Sequence, residues 1–391
     1  RRQRQMCIRD RRIPYLFVGS LVAVLVMCLL PNAGSFGMAV STAMIFGLVS
    51  LMFLDTSINM AMQPFKMMVG DMVNEKQKGL AYSIQSFLCN AGSLVGFLFP
   101  FIFTWIGISN IAPQGVVPDS VIYSFYIGAA ILILCVIYTT VKVKEMPPAE
   151  YAEYHGITEE EKKEKINMVK LLVKAPKAFW TVGLVQFFCW FAFMFMWTYT
   201  NGSVAANVFD APTVETVVNG ANKVVLDTKS IQYQNAADWV GVLFAVQAIG
   251  SVLWAVCIPM FKNRKLIYSL SLVLGGIGFI STYFVHNQYV LFISFLLIGC
   301  AWAAMLALPF TILTNALSGG HMGTYLGLFN GTICIPQIVA ATLGGSILAL
   351  FTPKGMLPPE INMLVMAGVM LIIGAVCVYL IKETKGEQAK A

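Results

Sequence analysis

The strongest constraint on this chain is a series of apolar stretches that recurs along almost its whole length. Ten of these stretches approach or exceed the roughly 20 residues that a helix needs to cross a bilayer. Inside a bilayer the backbone must satisfy its own hydrogen bonds, so apolar stretches of this length predict helices. The predicted spans are residues 13–30, 36–63, 79–107, 120–141, 177–200, 236–261, 266–285, 289–315, 322–351 and 361–381. The sequence therefore predicts an all-α, polytopic membrane protein.

Composition excludes an ordinary soluble domain. Only 12% of the residues are charged, whereas a soluble domain carries about 25%. The net charge of +7 is spread over loop edges instead of one patch, so no nucleic-acid partner is expected. With a cytoplasmic N-terminus, 23 of the 26 Lys and Arg fall in cytoplasmic segments, and only Lys223, Lys229 and Lys354 fall outside. The positive-inside rule then predicts that both termini face the cytoplasm.

The spans group into two halves. Residues 1–10 (RRQRQMCIRD) fit poorly with the following sequence and are expected to be a non-native tag. Residues 11–141 form the predicted N-terminal half, and residues 177–391 form the C-terminal half. Residues 142–176 are charged and contain a capping box from Thr158 to Glu161, which predicts a cytoplasmic linker with an amphipathic helix. Asn219 and Gly220, between β-branched runs, predict a small hairpin in the longest outer loop.

The second span contains an acid that an apolar helix would not carry without a function. Asp55 follows a run of apolar and small residues, and an acid at the centre of a membrane helix costs about 2.5–3.5 kcal/mol. Helical periodicity puts Asp55, Asn59 and Lys66 on one face. Lys66 lies about 16 Å further along the axis, so a Lys66 at the cytoplasmic interface places Asp55 near the middle of the membrane. Asp55 is therefore the first candidate site residue.

The fifth span carries an aromatic face. Gln186, Trp190, Phe193 and Trp197 share one side of a predicted helix. Aromatic rings beside an amide suit a sugar, because its C–H faces stack on rings and its hydroxyls need donors and acceptors. Packing of a helical core explains the same aromatic pattern equally well.

A weak internal repeat links the two halves. Pro64-Phe65 followed by Gly79 and Asn90 has a counterpart in Pro309-Phe310 followed by Gly323 and Asn330. Parallel repeats are typical of transporters built from two halves, with the substrate bound at their interface. In the second copy, Asn330, Cys334 and Gln337 share a face, but no acid corresponds to Asp55.

No pattern in the sequence predicts a metal, a cofactor or catalysis. The nine cysteines lie almost all within apolar spans without a CxxC pair, and the three histidines lie in or beside loops. No nucleophile constellation or phosphate-binding loop is present, so the chain is not expected to be an enzyme.

The chain resembles the proton-coupled sucrose and maltose transporters of the major facilitator superfamily. The resemblance covers residues 11–391, and its most specific part is the pattern Asp55, Asn59, Pro64, Lys66 and Asp71. Further similarity lies in Trp190-Phe191-Ala192 and in the segment LFNGTICIPQIVA from Leu328. The resemblance implies a bundle of twelve helices, of which the ten spans are helices three to twelve.

The resemblance also implies roles for individual residues. Asp55 would couple the proton and bind the sugar, supported by Asn59. Lys66, which stands where the family usually has Arg, and Asp71 would belong to a cytoplasmic gate with Arg11 and Arg12. At residues 200–207 the chain lacks the acidic and Arg residues of plant relatives, which leaves the substrate open.

We therefore expect a monomeric transporter of a bacterial inner membrane that imports a disaccharide or related α-glucoside with a proton. The sugar is expected between the two halves, bound by Asp55, Asn59, Trp190, Trp197, Asn330 and Gln337. Two alternatives stay open. One is a sodium-coupled glycoside symporter, and the other is a membrane sugar sensor that has kept the fold without transport.

Overall fold

The computed structural model describes residues 12–32, 37, 40–72, 78–109, 117–143, 168–173, 175–218, 221–261, 263–316, 322–353 and 355–381. The chain divides into two compact units, Arg1–Glu164 and Lys165–Ala391. The boundary falls within the linker predicted at residues 142–176. The predicted tag at residues 1–10 and the capping box from Thr158 to Glu161 lie outside the described residues.

The described part of the first unit contains four long helices. Helix α1 packs against α2 and α4, and α3 also contacts α4. The contact between α1 and α2 is close at Gly19, where a Cβ would lie 2.9 Å from the main-chain oxygen of Ser57. Glycine at this position therefore lets the two helices approach. The helices are α1 (Arg12–Leu29, continued by a 3₁₀ turn at Leu30–Asn32), α2 (Val40–Met72), α3 (Lys78–Trp105) and α4 (Asp119–Lys142).

The second unit begins with a short helix and continues with six further membrane-length segments. They are α5 (Met168–Val173), α6 (Lys177–Asn207), α7 (Ile231–Cys257), α8 (Arg264–Ser281), α9 (Leu291–Ala316), α10 (Met322–Phe329) with α11 (Gly331–Phe351), and α12 (Ile361–Cys377). Short 3₁₀ turns, Ile258–Met260 and Val378–Leu380, extend α7 and α12.

Helix α6 lies at the centre of the second unit. It contacts α7, α9, α11 and α12, while α9 also packs against α7 and α8. The α7–α9 contact is close because Gly250 and Gly299 lie where the helices meet. A Cβ on Gly250 would lie 2.6 Å from the main-chain oxygen of Leu296, and one on Gly299 would lie 2.7 Å from the nitrogen of Ser251. Small residues at such contacts are typical of helix packing in membranes.

The described residues contain one β-hairpin, between α6 and α7. Strands β1 (Thr213–Val218) and β2 (Ala221–Leu226) are antiparallel, with Thr213 opposite Leu226 and Val218 opposite Ala221. The predicted hairpin is thus confirmed, although its turn at residues 219 and 220 lies outside the described residues. We call the end of the second unit at which this hairpin lies the hairpin end.

Ten helical segments of the described residues are long and apolar enough to cross a membrane, which confirms the ten predicted spans. The chain is a multi-pass membrane protein. Four spans differ most from the prediction. Helix α2 continues nine residues beyond residue 63, and α7 begins five residues before residue 236. Helix α6 continues seven residues beyond residue 200, and the ninth span is divided at Asn330, whose nitrogen bonds to the oxygen of Gly327 in 3₁₀ fashion. Gly327 and Gly331 flank this break, and glycine weakens a helix by about 1 kcal/mol relative to alanine.

Candidate functional site

Three tryptophans from two helices of the second unit form the most distinctive side-chain group in the described part of the chain. The ring centroid of Trp302 on α9 lies 5.8 Å from those of both Trp190 and Trp197 on α6. Trp190 and Trp197 are 6.4 Å apart, and Phe193 lies 4.9 Å from Trp302. We call Trp190, Trp197 and Trp302 the tryptophan cluster. The structure therefore brings together two of the predicted sugar-binding residues and adds a third ring.

The cluster contains an indole N–H group that no group among the described residues accepts. The indole nitrogen of Trp190 is buried and has no hydrogen-bond partner among the described residues. In contrast, the indole N–H of Trp239 donates to the main-chain oxygen of Gln288, and that of Trp254 donates to the hydroxyl of Ser271. Buried indole N–H groups usually find a partner, so the one on Trp190 calls for an explanation. Trp197 is 41% exposed, which leaves one edge of the cluster accessible.

The amide of the same helical face has a structural role. Gln186 is fully buried, and its Nε2 donates to the main-chain oxygen of Met305 on α9 at 3.2 Å. In a regular helix that oxygen would accept from residue 309, but residue 309 is proline and has no N–H. Gln186 thus replaces a missing bond in α9, and the fully buried Phe193 packs in the core. For these two residues the packing alternative is supported.

In the first unit, Asp55 lies on α2 with its side chain exposed. The contact of α2 with α1 runs through Ser57 and Ala61, two and six residues further along. Asn59 is half-buried, and its amide donates to the main-chain oxygen of Asp55 at 2.9 Å. Asn59 therefore binds the backbone of the turn that carries Asp55, not its carboxylate. Among the described residues, the carboxylate has no hydrogen-bond or ion-pair partner.

The remaining predicted binding residues lie on the segment that neighbours α6. Asn330 is half-buried at the break between α10 and α11, and Gln337 is half-buried on α11. Helix α11 contacts α6 where Thr332 meets Gly183. Counting 1.5 Å per residue from that contact puts Gln337 and Trp190 within about 3 Å of the same level along the helices. Asn330 lies on the other side of this contact, further from the tryptophan cluster.

The predicted gate residues cannot be placed by their side chains. Arg11 precedes the described residues, and Arg12, Lys66 and Asp71 are described only as helix backbone. No group of three or more metal-ligating side chains occurs among the residues that the structure describes. Two functional candidates were missed by sequence reasoning. They are Trp302, which lies in an alanine-rich run with no polar neighbour, and Glu360, which follows two prolines in a loop.

Similarity to known proteins identifies the fold. Residues 208–391 match the sequence profile of the Major Facilitator Superfamily. No curated protein sequence matches the chain. Among solved structures, the chain is similar to a D-xylose-proton symporter, with a TM-score of 0.67 and 14% identity over 96% of this chain and 82% of that chain.

Two further structures share the fold. The first is the xylose transporter of E. coli in an inward-open conformation, with a TM-score of 0.62 and 14% identity over 96% of this chain and 80% of that chain. The second is a Major Facilitator Superfamily transporter in the outward conformation, with a TM-score of 0.59 and 14% identity over 95% and 84% of the two chains. The chain therefore has the Major Facilitator Superfamily fold. All three of these solved structures are transporters.

Proposed function

We propose that this multi-pass protein with the Major Facilitator Superfamily fold is a secondary transporter that imports a disaccharide or related α-glucoside together with a proton. The tryptophan cluster is the observation that carries the proposal, because it combines ring faces with an unused donor. The fold is shared with a D-xylose-proton symporter, which fits the same chemistry. The class of sugar and the coupled ion rest on the sequence resemblance described above.

In this proposal the tryptophan cluster binds the sugar. A pyranose ring presents apolar C–H faces, and the faces of Trp190, Trp197 and Trp302 provide stacking surfaces for them. The indole N–H of Trp190 has no acceptor in the described part of the chain, so a sugar hydroxyl gives it a partner without breaking a described bond. Gln337, at nearly the same level on α11, supplies an amide that can donate and accept. Asn59 and Asn330 are further proposed binding residues.

Asp55 carries the proton in the proposed mechanism. Its exposed carboxylate lies within a helical stretch, residues 41–62, that is apolar enough to cross the membrane. A charged acid at that depth is expensive against lipid, so it must face water, substrate or protein. Protonation removes the charge and favours the neutral, sugar-loaded carrier during its change of conformation. Loss of the proton to the cytoplasm after sugar release then favours return.

The proposed location is a bacterial inner membrane with both termini in the cytoplasm. The distribution of Lys and Arg supports this orientation, because 23 of the 26 lie in segments assigned to the cytoplasm. Arg11, Arg12, Lys66 and Asp71 are proposed to form a gate on the cytoplasmic side. The hairpin end of the second unit then faces outward.

Uptake by the purified protein in liposomes tests this function. With a panel of labelled mono- and disaccharides, we expect counterflow of at least one disaccharide, and its accumulation when a proton gradient is imposed. If the sugar accumulates only when a sodium gradient is imposed, the coupled ion is sodium and not the proton. Binding without counterflow for every sugar would favour the sensor alternative and contradict transport.

A single substitution separates sugar binding from packing in the tryptophan cluster. Trp190→Phe keeps an aromatic ring but deletes the unpaired N–H and part of the ring area. We expect it to weaken sugar affinity about tenfold, which corresponds to about 1.4 kcal/mol, with little change in thermal stability. The matched control is Trp254→Phe, which removes a satisfied bond to Ser271 and should lower stability without changing affinity. Unchanged affinity in Trp190→Phe would contradict the proposed contact.

A further inference from the structure

A second carboxyl group lies at the hairpin end of the second unit, far along the sequence from Asp55. Glu360 immediately precedes α12, and its own nitrogen bonds to the oxygen of Pro358 at 2.9 Å. The residue has helical backbone angles, and its side chain does not cap the helix. Its carboxylate is therefore free to interact with the neighbouring helices.

The carboxylate of Glu360 lies directly against the backbone of α6. A Cβ built on Gly202 would collide with the carboxyl carbon and one oxygen of Glu360, and it would lie 2.8 Å from the other oxygen. Only glycine at this position leaves room for the carboxylate. Gly202 and Glu360 thus form a seat in which both carboxylate oxygens face α6.

The described titratable side chains around this seat are tyrosines, not cationic residues. Tyr199 on α6 and Tyr233 on α7 both lie within electrostatic range of Glu360. These two are the titratable groups that face it from the packed elements, and among the described residues no Lys, Arg or His pairs with it. Helix α8 carries Arg264 and Lys265 at its first turn, the end opposite the hairpin end, and α11 and α12 contain no charged residue. An ionised Glu360 therefore has no compensating cation within the described part of the chain.

The amide oxygen of Asn201, the residue before Gly202, can accept a hydrogen bond. Asn201 donates from its Nδ2 to the hydroxyl of Tyr233 at 2.9 Å, whereas its Oδ1 is buried and accepts no hydrogen bond among the described residues. An ionised carboxylate offers only further acceptors to this group. A protonated carboxyl adds an O–H donor. The unpaired oxygen of Asn201 therefore favours the protonated form of Glu360 over the ionised form.

We propose that Glu360, seated on Gly202 beside Tyr199 and Tyr233, is a second proton-binding site of this protein, distinct from Asp55. Its proton controls how firmly the start of α12 packs on α6. The neutral acid stays in the seat, whereas the ionised acid is driven toward solvent because no cation among the described residues lies beside it. The burial of the carboxyl raises the pKa of Glu360 to about 7, so the seat changes its charge within the ordinary physiological range.

Infrared difference spectroscopy of the purified protein, titrated from about pH 5 to about pH 9, tests the site directly. The C=O stretch of a protonated carboxyl should disappear with a midpoint near pH 7. We expect Glu360→Gln to lack this component and Asp55→Asn to retain it. Persistence of the component in Glu360→Gln, or its loss in Asp55→Asn alone, would overturn the assignment. The readout needs no sugar and no transport, so it succeeds or fails independently of the proposed function.

The seat itself is tested by a second pair of variants. Gly202→Ala displaces the carboxylate from α6, so the midpoint of its titration should fall by at least one pH unit, toward the ordinary pKa of a glutamate. The matched control is Gly345→Ala on α11, where a Cβ would meet nothing within 4 Å and the midpoint should not move. If the alanine at 202 prevents folding, Glu360→Asp withdraws the carboxyl from the same seat and should give the same fall. An unchanged midpoint in the folded variant would contradict the seat.

Discussion

The bond between Gln186 and the oxygen of Met305 makes a quantitative prediction about how α6 and α9 are joined. Pro309 cannot donate to the oxygen of Met305, and Gln186 supplies the missing donor at 3.2 Å from a fully buried position. The contribution of Gln186 to stability should therefore depend on the presence of Pro309. Replacing the proline by alanine restores an N–H at residue 309, and the oxygen no longer needs the glutamine.

The expected magnitude follows from the groups that gain or lose partners. Gln186→Met keeps the length of the side chain but leaves the oxygen of Met305 buried without a donor, which costs about 1–3 kcal/mol. The same change also removes the unpaired Oε1 of Gln186, which offsets part of that cost. This offset is equal in both backgrounds and cancels in a double-mutant cycle. We therefore expect Gln186→Met to be about 1–2 kcal/mol less destabilising when Pro309 is already alanine.

The coupling energy comes from the unfolding free energies of four proteins: the wild type, Gln186→Met, Pro309→Ala and the double variant. All four are unfolded with denaturant or heat in the same detergent. Gln247→Met combined with Pro309→Ala provides the control. Gln247 lies where α7 meets Gly299, about 15 Å along α9 from Pro309, so its effect should be additive within about 0.5 kcal/mol. A coupling between Gln186 and Pro309 that is no larger than this control would refute the reasoning. The amide of Gln186 would then be available to a sugar bound at the aromatic face of α6.

Two further predictions concern the hairpin end. Because burial raises the pKa of Glu360 from 4.5 to about 7, the wild type should lose stability as the pH rises through this range, by up to about 3 kcal/mol. Glu360→Gln cannot ionise, so its melting temperature should not show this fall, and an equal fall in both proteins would contradict the burial of the acid. Lys223→Cys, on β2, should react with a membrane-impermeant thiol reagent in intact cells. Reaction only after permeabilisation would reverse the proposed orientation.

The helices were predictable because a membrane span requires a long run of apolar residues. Apolar stretches of the right length identified all ten, and Asn219-Gly220 between β-branched runs identified the hairpin. The end of α6 was not predictable, since Asn201-Gly202-Ser203 reads as a loop. The helix continues because residues 202–205 are buried against other helices, and packing overrides the weak helix propensity of glycine.

The candidate site could be predicted only in part. Trp190 and Trp197 share a face of one helix, so periodicity was sufficient to group them. Trp302 is more than 100 residues away and joins them only because α9 packs on α6, which no local pattern encodes. Glu360 likewise gains its surroundings from α6 and α7. Gln186 shows the converse, because its role depends on a proline in another helix that sequence reasoning treated separately.

The central claim, sugar transport coupled to a proton through Asp55, is tested most directly by sugar-evoked proton movement. The purified protein is reconstituted in liposomes that contain a pH-sensitive dye, and a transported sugar is added outside without an imposed gradient. The account predicts acidification of the interior by the wild type. Asp55→Asn should give no acidification but should retain exchange of labelled sugar, because the amide keeps the shape and cannot titrate. Equal acidification by the wild type and Asp55→Asn, or sugar uptake without acidification in the wild type, would contradict the account.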